Sequence, residues 1–542
     1  MATMMTTRRS FLRQVGSGAA FLGTAGLSPH GVFAEKNPAL HLPRSAPEAQ
    51  GVASAGIAAF LDGIAKAKHE LHSFMLLRHG QVVAEGWWQP YGPQLKHTMY
   101  SMSKSFTSTA VGFAVTEGKL TVDDPVISFF PKDVPEKIDD KLAALKVKHL
   151  LTMSVGNEKE PTFEVVKQEN WVKAFLAAPI VHDPGSVFQY NSAATYMLSA
   201  IVQHLTGQKI IDYLTPRLFA PLEIRGMTWE TCPRGINTGG WGLSVHTEDL
   251  AKFGQLYLQK GQWHGQQILP AKWVEEATTF KIQQPDPAKP TRPHEQNDWL
   301  QGYCYQFWRS QHHAFRGDGA FGQFTVVIPE KDAVVIMTGE DSDLQGELDL
   351  VWEHLLPAMK DAALPEDVGA TEQLRKTLQS LKLPVPEGKS DVRTVDFANR
   401  TYAFEPNSLG LKNIAFSFSN EHSTLSFRNP ALDKGDMTIR ENITGYGSGR
   451  YNIGRTTLPG TPPRIISGGS PPPGTEHLYA ATYAWKDEHT LEILCRYVET
   501  PHHDTITCQF AEDGNSVKVT FLSSVAEKRK QKDTRPVLVG KV

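Results

Sequence analysis

The chain has 542 residues, 40% of them hydrophobic and 9% aromatic, with a formal net charge of -3. That is too long for one ordinary domain, so two or three are expected, each with an apolar core. Charge is nearly balanced and neither sign forms long runs, which excludes a nucleic-acid partner; the short run Glu527–Asp533 reads as a solvated face.

Near the N-terminus, Arg8 and Arg9 lie in Thr-Arg-Arg-Ser-Phe-Leu-Arg, followed by a mildly apolar Gly/Ala-rich stretch and the small-residue pattern Val32-Phe33-Ala34. This reads as a twin-arginine export signal over residues 1–34. The mature protein is then expected to begin near Glu35 and to be periplasmic or extracellular. It should have no transmembrane segment, because no other run is long enough to span a bilayer. The four cysteines, Cys232, Cys304, Cys495 and Cys508, are too scattered for a disulfide scaffold. Cys495 and Cys508 flank a predicted hairpin and either pair in an oxidising compartment or stay as buried thiols. His69-Glu70-Leu71-His72 is one residue short of a His-Glu-x-x-His zinc helix, and His312-His313 and His502-His503 are simple doublets. No metal and no cofactor are expected.

In chain order, Ser54 is predicted to cap a helix whose buried stripe is Ile57, Phe60, Leu61 and Ile64. Residues 74–88 read as two strands turning at His79-Gly80. From Met99 to Leu120 a helix is predicted that opens with hydroxyls and one lysine, then turns apolar, and ends at Gly118. It is hydrophobic nearly all round and so expected to be buried, which makes Lys104 in its first turn an anomaly. Residues 120–280 read as mostly helical, with Ser192–Thr206 and Glu248–Lys260 the clearest runs, ended by Gly207 and Gly261. Strands are predicted at 302–308, 323–329 and 333–339, with a turn at Pro329–Asp332, then a helix from Leu350 to Met359. A further amphipathic helix carrying Leu374, Leu378 and Leu381 leads into the Pro-rich stretch 383–391, read as a domain boundary. Beyond it, strands at 413–419, 423–429, 477–485, 490–499, 504–510 and 516–524 indicate an all-β barrel or sandwich. The expected fold is α/β: an antiparallel sheet with flanking helices and a helical subdomain over residues 35–382, plus a C-terminal all-β domain over 390–542.

Lys104 has a chemical rationale. Residues i and i+3 share a helix face, so Lys104 reaches the hydroxyl of Ser101, and a desolvated lysine joins a proton-transfer network there. Tyr190 sits between a Pro-Gly loop and the start of a helix, either packed under the loop or exchanging a proton with Ser101, provided that nearby positive charge lowers its pKa. In "AFRGDGAFGQFTVVIP", Gly317, Gly319 and Gly322 on a strand edge would let a substrate backbone approach. The N–H of Ala320 would then join that of Ser101 to hold an oxyanion. The alternative there is a plain glycine-rich hairpin.

Taken in that order, Ser-x-x-Lys, a Tyr loop and a Gly-rich strand resemble the serine β-lactamases and penicillin-binding-type hydrolases, class C and related esterases. The resemblance runs over about residues 45–360 and includes "GGWGLSVHTEDLAKFGQLYLQKGQWHGQQILPAKWVEEAT". It implies an active site between the sheet and the helical subdomain, with Ser101 acylated, Lys104 and Tyr190 as the proton-transfer pair, and Gly319 and Ala320 on the third motif's strand. Two departures stand out. The second motif, commonly Tyr-x-Asn, is Tyr190-Asn191-Ser192, leaving either Asn191 or Ser192 to supply the polar contact. The third motif, usually opened by Lys or His, is Gly317-Asp318-Gly319 preceded by Arg316. An α/β-hydrolase elbow is excluded, since Thr152-Met153-Ser154-Val155-Gly156 lacks the first glycine.

The reading is an exported serine hydrolase that cleaves a small ester or amide through an acyl-enzyme on Ser101. Uncharged substrates should be favoured over β-lactams. In relatives, the cation opening the third motif faces a substrate carboxylate, whereas here Asp318 adds a negative charge that Arg316, on the same face of an extended segment, neutralises. The rival reading is a binding protein that holds cell-wall peptide or a partner without useful turnover.

Overall fold

The computed structural model describes residues 41–389, 397, 400–418, 422–428, 440–446, 449–458, 460–467 and 475–542. The export signal read at 1–34 lies outside the described residues. Helix α1 (Ser54–Ala67) buries Ile57, Phe60, Leu61 and Ile64 as the spacing predicts. Ser54 does not cap it: Ala53 is the N-cap, and Ser54 is the first helical residue, its N–H donating to Glu48 Oε1 at 2.8 Å. A glutamate carboxylate thus does the work of a capping hydroxyl.

Strands β1 (Leu71–Arg78) and β2 (Gln81–Trp87) turn at His79-Gly80, both with positive φ. With β3 (Trp308–Arg309), β4 (Phe315–Gly319), β5 (Gln323–Ile328) and β6 (Ala333–Gly339) they form an antiparallel sheet in the order β2-β1-β6-β5-β4-β3. Strand β1 is buried along its whole length. Its alternate side chains enter two different cores: Phe74 and Leu76 meet α1 and Leu355, while Met75 and Leu77 meet Phe106, Phe253 and Tyr257. A strand covered on both faces reads in sequence as an unbroken apolar run, here Phe-Met-Leu-Leu.

The second of those cores is helical. A 3₁₀ turn (Tyr100–Met102) leads into α2 (Ser103–Thr116), whose residues Ser103 to Ala114 are all buried. Against it pack α3 (Ser192–Thr206), capped by Asn191 and stopped by Gly207, and α4 (Thr247–Leu258), which also covers the sheet. One predicted strand is absent. Of residues 302–308 only Trp308 enters a strand, because Gly302 (φ 107°) and Gln306 (φ 65°) break the extended path. Gln306 is instead spliced into the helices, its amide donating to the carbonyls of Leu150 and Leu151 and accepting from Thr195 Oγ1.

After α5 (Val368–Gln379) the chain crosses to a ten-stranded sheet. Its strands are β7 (Thr401–Phe404), β8 (Asn413–Phe418), β9 (His422–Arg428), β10 (Arg440–Tyr446), β11 (Asn452–Thr456), β12 (His477–Trp485), β13 (Thr490–Arg496), β14 (His503–Phe510), β15 (Ser516–Ser523) and β16 (Leu538–Lys541). The order is β10-β9-β8-β7-β16-β15-β14-β13-β12-β11, and β10 also pairs with β12, so the sheet closes on itself around Tyr402, Phe416, Trp485 and Phe510. The expected C-terminal all-β architecture is therefore barrel-like. Cys495 and Cys508 do not pair: they face Asp504 and Leu491 respectively across β13 and β14, and both are buried free thiols. No helix among the described residues is long and apolar enough to cross a membrane.

Candidate active site

Ser101 sits half-buried in the 3₁₀ turn and Lys104 one turn further on, in the first turn of α2. Lys104 Nζ donates to Ser101 Oγ at 3.0 Å, to Ser192 Oγ at 3.1 Å and to the Gly240 carbonyl at 2.7 Å. Gly240 makes the last contact possible: a Cβ there would lie 2.7 Å from the Ser192 carbonyl, so only glycine lets this loop press against the start of α3. Only 2% of Lys104 is exposed, and burial lowers its pKa to about 7 despite the nearby charges of Glu160 and Asp318, which favour the ammonium. Relative to a lysine in water, this corresponds to about 5 kcal/mol in favour of the neutral amine. Lys104 is therefore poised to take a proton near neutral pH.

Tyr190 faces the Ser101 side chain, and its ring stacks on Trp308 with centroids 5.8 Å apart. The condition set for it from sequence is not met. Burial pushes the phenol pKa up, and Asp318 and Glu160 push it further. Lys104 Nζ lies over the ring, 4.9 Å from its centroid. Tyr190 thus stays a neutral hydroxyl, and the low-pKa group of the pair is Lys104.

The second motif resolves in favour of Ser192. Asn191 is fully buried and turned away, its Oδ1 accepting from Ala194 N as the cap of α3 and its Nδ2 donating to Asn157 Oδ1. Ser192 holds Lys104, and its own N–H donates to Glu160 Oε1 at 2.7 Å. Glu160 was not singled out in the sequence; it lies in an irregular loop without a motif around it.

In the third motif, β3 reaches only Phe315 and Arg316 of β4, so the Gly317–Gly319 end of β4 presents an edge, as expected. Its glycines also meet an internal constraint. A Cβ on Gly317 would lie 2.1 Å from Met102 Sδ, and one on Gly319 2.2 Å from the Met99 carbonyl. The turn carrying Ser101 presses on them, which by itself requires both to lack a side chain. Gly322 (φ 87°) belongs to the β4–β5 turn, where a Cβ would meet the Glu347 carboxylate. Ala320 follows Gly319 in that turn and is exposed. Arg316 is fully buried: Nε donates to Asp318 Oδ2 at 3.0 Å, Nη1 to Ser310 Oγ at 2.7 Å and to two backbone carbonyls, and the guanidinium lies over Trp299. Every one of those contacts is internal. Burial raises the Asp318 pKa while Arg316 opposes the rise.

Outside this site, Glu70, Glu340 and His503 bring ligand atoms within 4.8 Å of one another. Arg496 Nη1 lies 2.7 Å from Glu70 Oε1 and Lys528 Nζ 4.0 Å from Glu70 Oε2, so protein cations already compensate this charge and the group does not suit a metal ion.

Residues 58–355, more than half of the chain, match the family profile described as Beta-lactamase. Among curated relatives, 6-aminohexanoate-dimer hydrolase of Paenarthrobacter ureafaciens is 28% identical over 219 residues, 38% of this chain and 56% of that protein. Protein flp of Staphylococcus aureus (strain MW2) is 26% identical over 144 residues, 26% of this chain and 29% of that protein. The chain thus spans at most about half the length of these relatives. The solved structure described as the octameric penicillin-binding protein homologue from Pyrococcus abyssi aligns with a TM-score of 0.44 at 16% identity, covering 90% of this chain and 99% of that one.

Proposed function

Given that the chain belongs to the beta-lactamase family, we propose that it is a serine hydrolase cleaving an ester or amide through an acyl-enzyme on Ser101. The observation that carries the reading is the Lys104 amine, dehydrated, near-neutral in pKa and 3.0 Å from Ser101 Oγ. In acylation the Ser101 oxygen adds to the substrate carbonyl while its proton passes to neutral Lys104. The backbone N–H groups of Ser101 and Ala320 receive the developing oxyanion. Collapse expels the alcohol or amine, which takes a proton from the Lys104–Tyr190 hydroxyl network. Water then repeats the sequence on the acyl-enzyme, regenerating Ser101. The relative from Paenarthrobacter ureafaciens is named as a hydrolase of a 6-aminohexanoate dimer, which supports this class of reaction.

Uncharged substrates are proposed to be preferred. Arg316 is fully buried, with Nε and Nη1 on internal partners and Nη2 shut off from solvent without one, and Asp318, its side chain 10% exposed, is the charged group that the third motif offers. Nothing in that motif therefore clamps a substrate carboxylate. Export by the twin-arginine route is part of the same proposal and rests on Arg8 and Arg9; with Lys at both positions, the precursor should remain in the cytoplasmic fraction.

The test is fluorophosphonate labelling with a Ser101→Ala control, followed by kcat/KM for a neutral p-nitrophenyl ester against a chromogenic cephalosporin. Labelling that depends on Ser101, with the ester the better substrate, is expected. Labelling of the Ser101→Ala protein would refute the nucleophile, absence of labelling in the wild type would favour a binding protein, and efficient cephalosporin turnover would overturn the charge argument.

A further inference from the structure

Tyr100 and Phe321 each stand beside one of the two proposed oxyanion donors: Tyr100 precedes Ser101, and Phe321 follows Ala320. Both are non-glycine residues with left-handed backbone, at φ 45° and 69°. Such a conformation costs of order 1 kcal/mol or more and persists only where surrounding contacts enforce it. The two rings touch, with centroids 5.4 Å apart.

What enforces it comes from the second sheet. His502 ends the loop between β13 and β14 and is 1% exposed. Its Nε2 is 2.5 Å from the Tyr100 hydroxyl, and its ring meets Phe321 edge-on at 5.1 Å. On the other side, His502 Nδ1 is 2.6 Å from Glu340 Oε1, which also accepts from Ser524 Oγ at 2.6 Å. An ionised carboxylate only accepts, so His502 donates from Nδ1 to Glu340, and its Nε2 faces the Tyr100 hydroxyl as the acceptor of that hydroxyl's hydrogen bond. Backbone contacts brace the same place: Thr98 N donates to the Glu499 carbonyl at 3.0 Å, and Asp341 N to the Phe321 carbonyl at 3.1 Å.

We propose that His502 is a positioning residue for hydrolysis: oriented by Glu340, it fixes Tyr100 and Phe321 and thereby aims the Ser101 and Ala320 N–H groups at the oxyanion. The barrel-like sheet is then part of the catalytic apparatus through His502. This inference rests on the proposed acyl-enzyme reading. Displacing a donor by a fraction of an ångström weakens binding of the transition state more than of the substrate.

The experiment measures kcat, KM and affinity for an aryl boronic acid, which forms a tetrahedral adduct on a serine, in full-length wild type, His502→Ala, His502→Gln, Tyr100→Phe and Ser101→Ala. For His502→Ala, kcat is expected to fall ~30- to 100-fold with KM within about twofold, and boronate affinity to fall in parallel with kcat/KM. His502→Gln, whose side-chain carbonyl can still accept from Tyr100, should recover much of the loss. If His502→Ala does not fold, Tyr100→Phe, which keeps the ring on Phe321 and removes only the hydroxyl, gives the reading through the same split. Unchanged kcat and boronate affinity in either folded variant, or a loss confined to KM or thermal stability, would overturn the inference. Residual turnover in Ser101→Ala would instead overturn the underlying nucleophile assignment.

Discussion

Ser101 and Lys104 are separated by three positions, and that spacing alone places the amine on the hydroxyl. The structure adds why the amine is useful. Burial lowers its pKa to about 7, while Glu160 and Asp318 hold it from falling further. Acylation should therefore rise with pH through an apparent pKa near 7 as Lys104 loses its proton, read from the rate of fluorophosphonate labelling between pH 5 and 9. Glu160→Gln removes an anion that favours the ammonium, so the limb should move to lower pH; a limb that stays in place would mean that another group titrates. Lys104→Arg stays protonated throughout and should label at least ~10²-fold more slowly. Tyr190→Phe should slow acylation ~10- to 100-fold with little change in KM, since the lost hydroxyl is proposed to act in proton transfer at Ser101 rather than on a remote part of the substrate.

The close approach of β4 to the turn before α2 decides how Ser101 faces the third motif. Gly317→Ala puts a methyl into Met102 Sδ, and Met102 is itself fully buried with no room to retreat. Overpacking of this kind costs about 1–3 kcal/mol. The variant should unfold earlier in a thermal melt and lose turnover beyond the loss of folded protein, because Ala320 moves with the strand. Met102→Ala added to it should restore part of both. If Gly317→Ala melts and turns over as wild type, the glycine is there for some other reason.

The two sheets share buried charge. Burial opposes ionisation of Glu340, yet hydrogen bonds from His502 and His503 hold its carboxyl well below the usual range; Glu70 is likewise held low, against its burial, by Arg496. Lys528, which the sequence places in a solvated run, donates to the Glu340 carbonyl. Carboxylates with depressed pKa contribute stability that is present above their unfolded value near 4.5 and is lost as pH falls toward their folded value. Melting temperature should therefore drop steeply below about pH 4.5, and less steeply in Glu340→Gln. A chain ending at Lys382 would strip Arg496 from Glu70, leaving it only His72, and His502, His503 and Ser524 from Glu340, and would bare the apolar face that Leu478, Ala480 and Val498 cover. Such a truncated chain should fail to label at Ser101; full labelling would show that the first sheet and its helices hold the site alone.

What the sequence by itself determined is whatever depends on local periodicity or short spacing. The α1 stripe, the hairpin at His79-Gly80, the buried α2 with its lysine, and β8, β9, β12, β13, β14 and β15 all follow from patterns within about twenty residues, whereas β10, β11 and β16 do not. So does the pairing of Arg316 with Asp318, two positions apart on an extended strand. Tertiary structure decided what depends on which surfaces meet. It chose Ser192 over Asn191 for Lys104, because Asn191 is consumed as a helix cap; it turned residues 302–308 from a strand into a brace, because Gln306 finds helical carbonyls; and it kept Cys495 from Cys508, because strand register sets them opposite other residues. It also brought His502, from a doublet with no motif around it, to Tyr100, the residue before Ser101, some four hundred positions earlier. Long-range contacts of that kind leave no periodic trace in a single chain, since each partner's neighbours are fitted to its own strand or turn rather than to the other side of the contact.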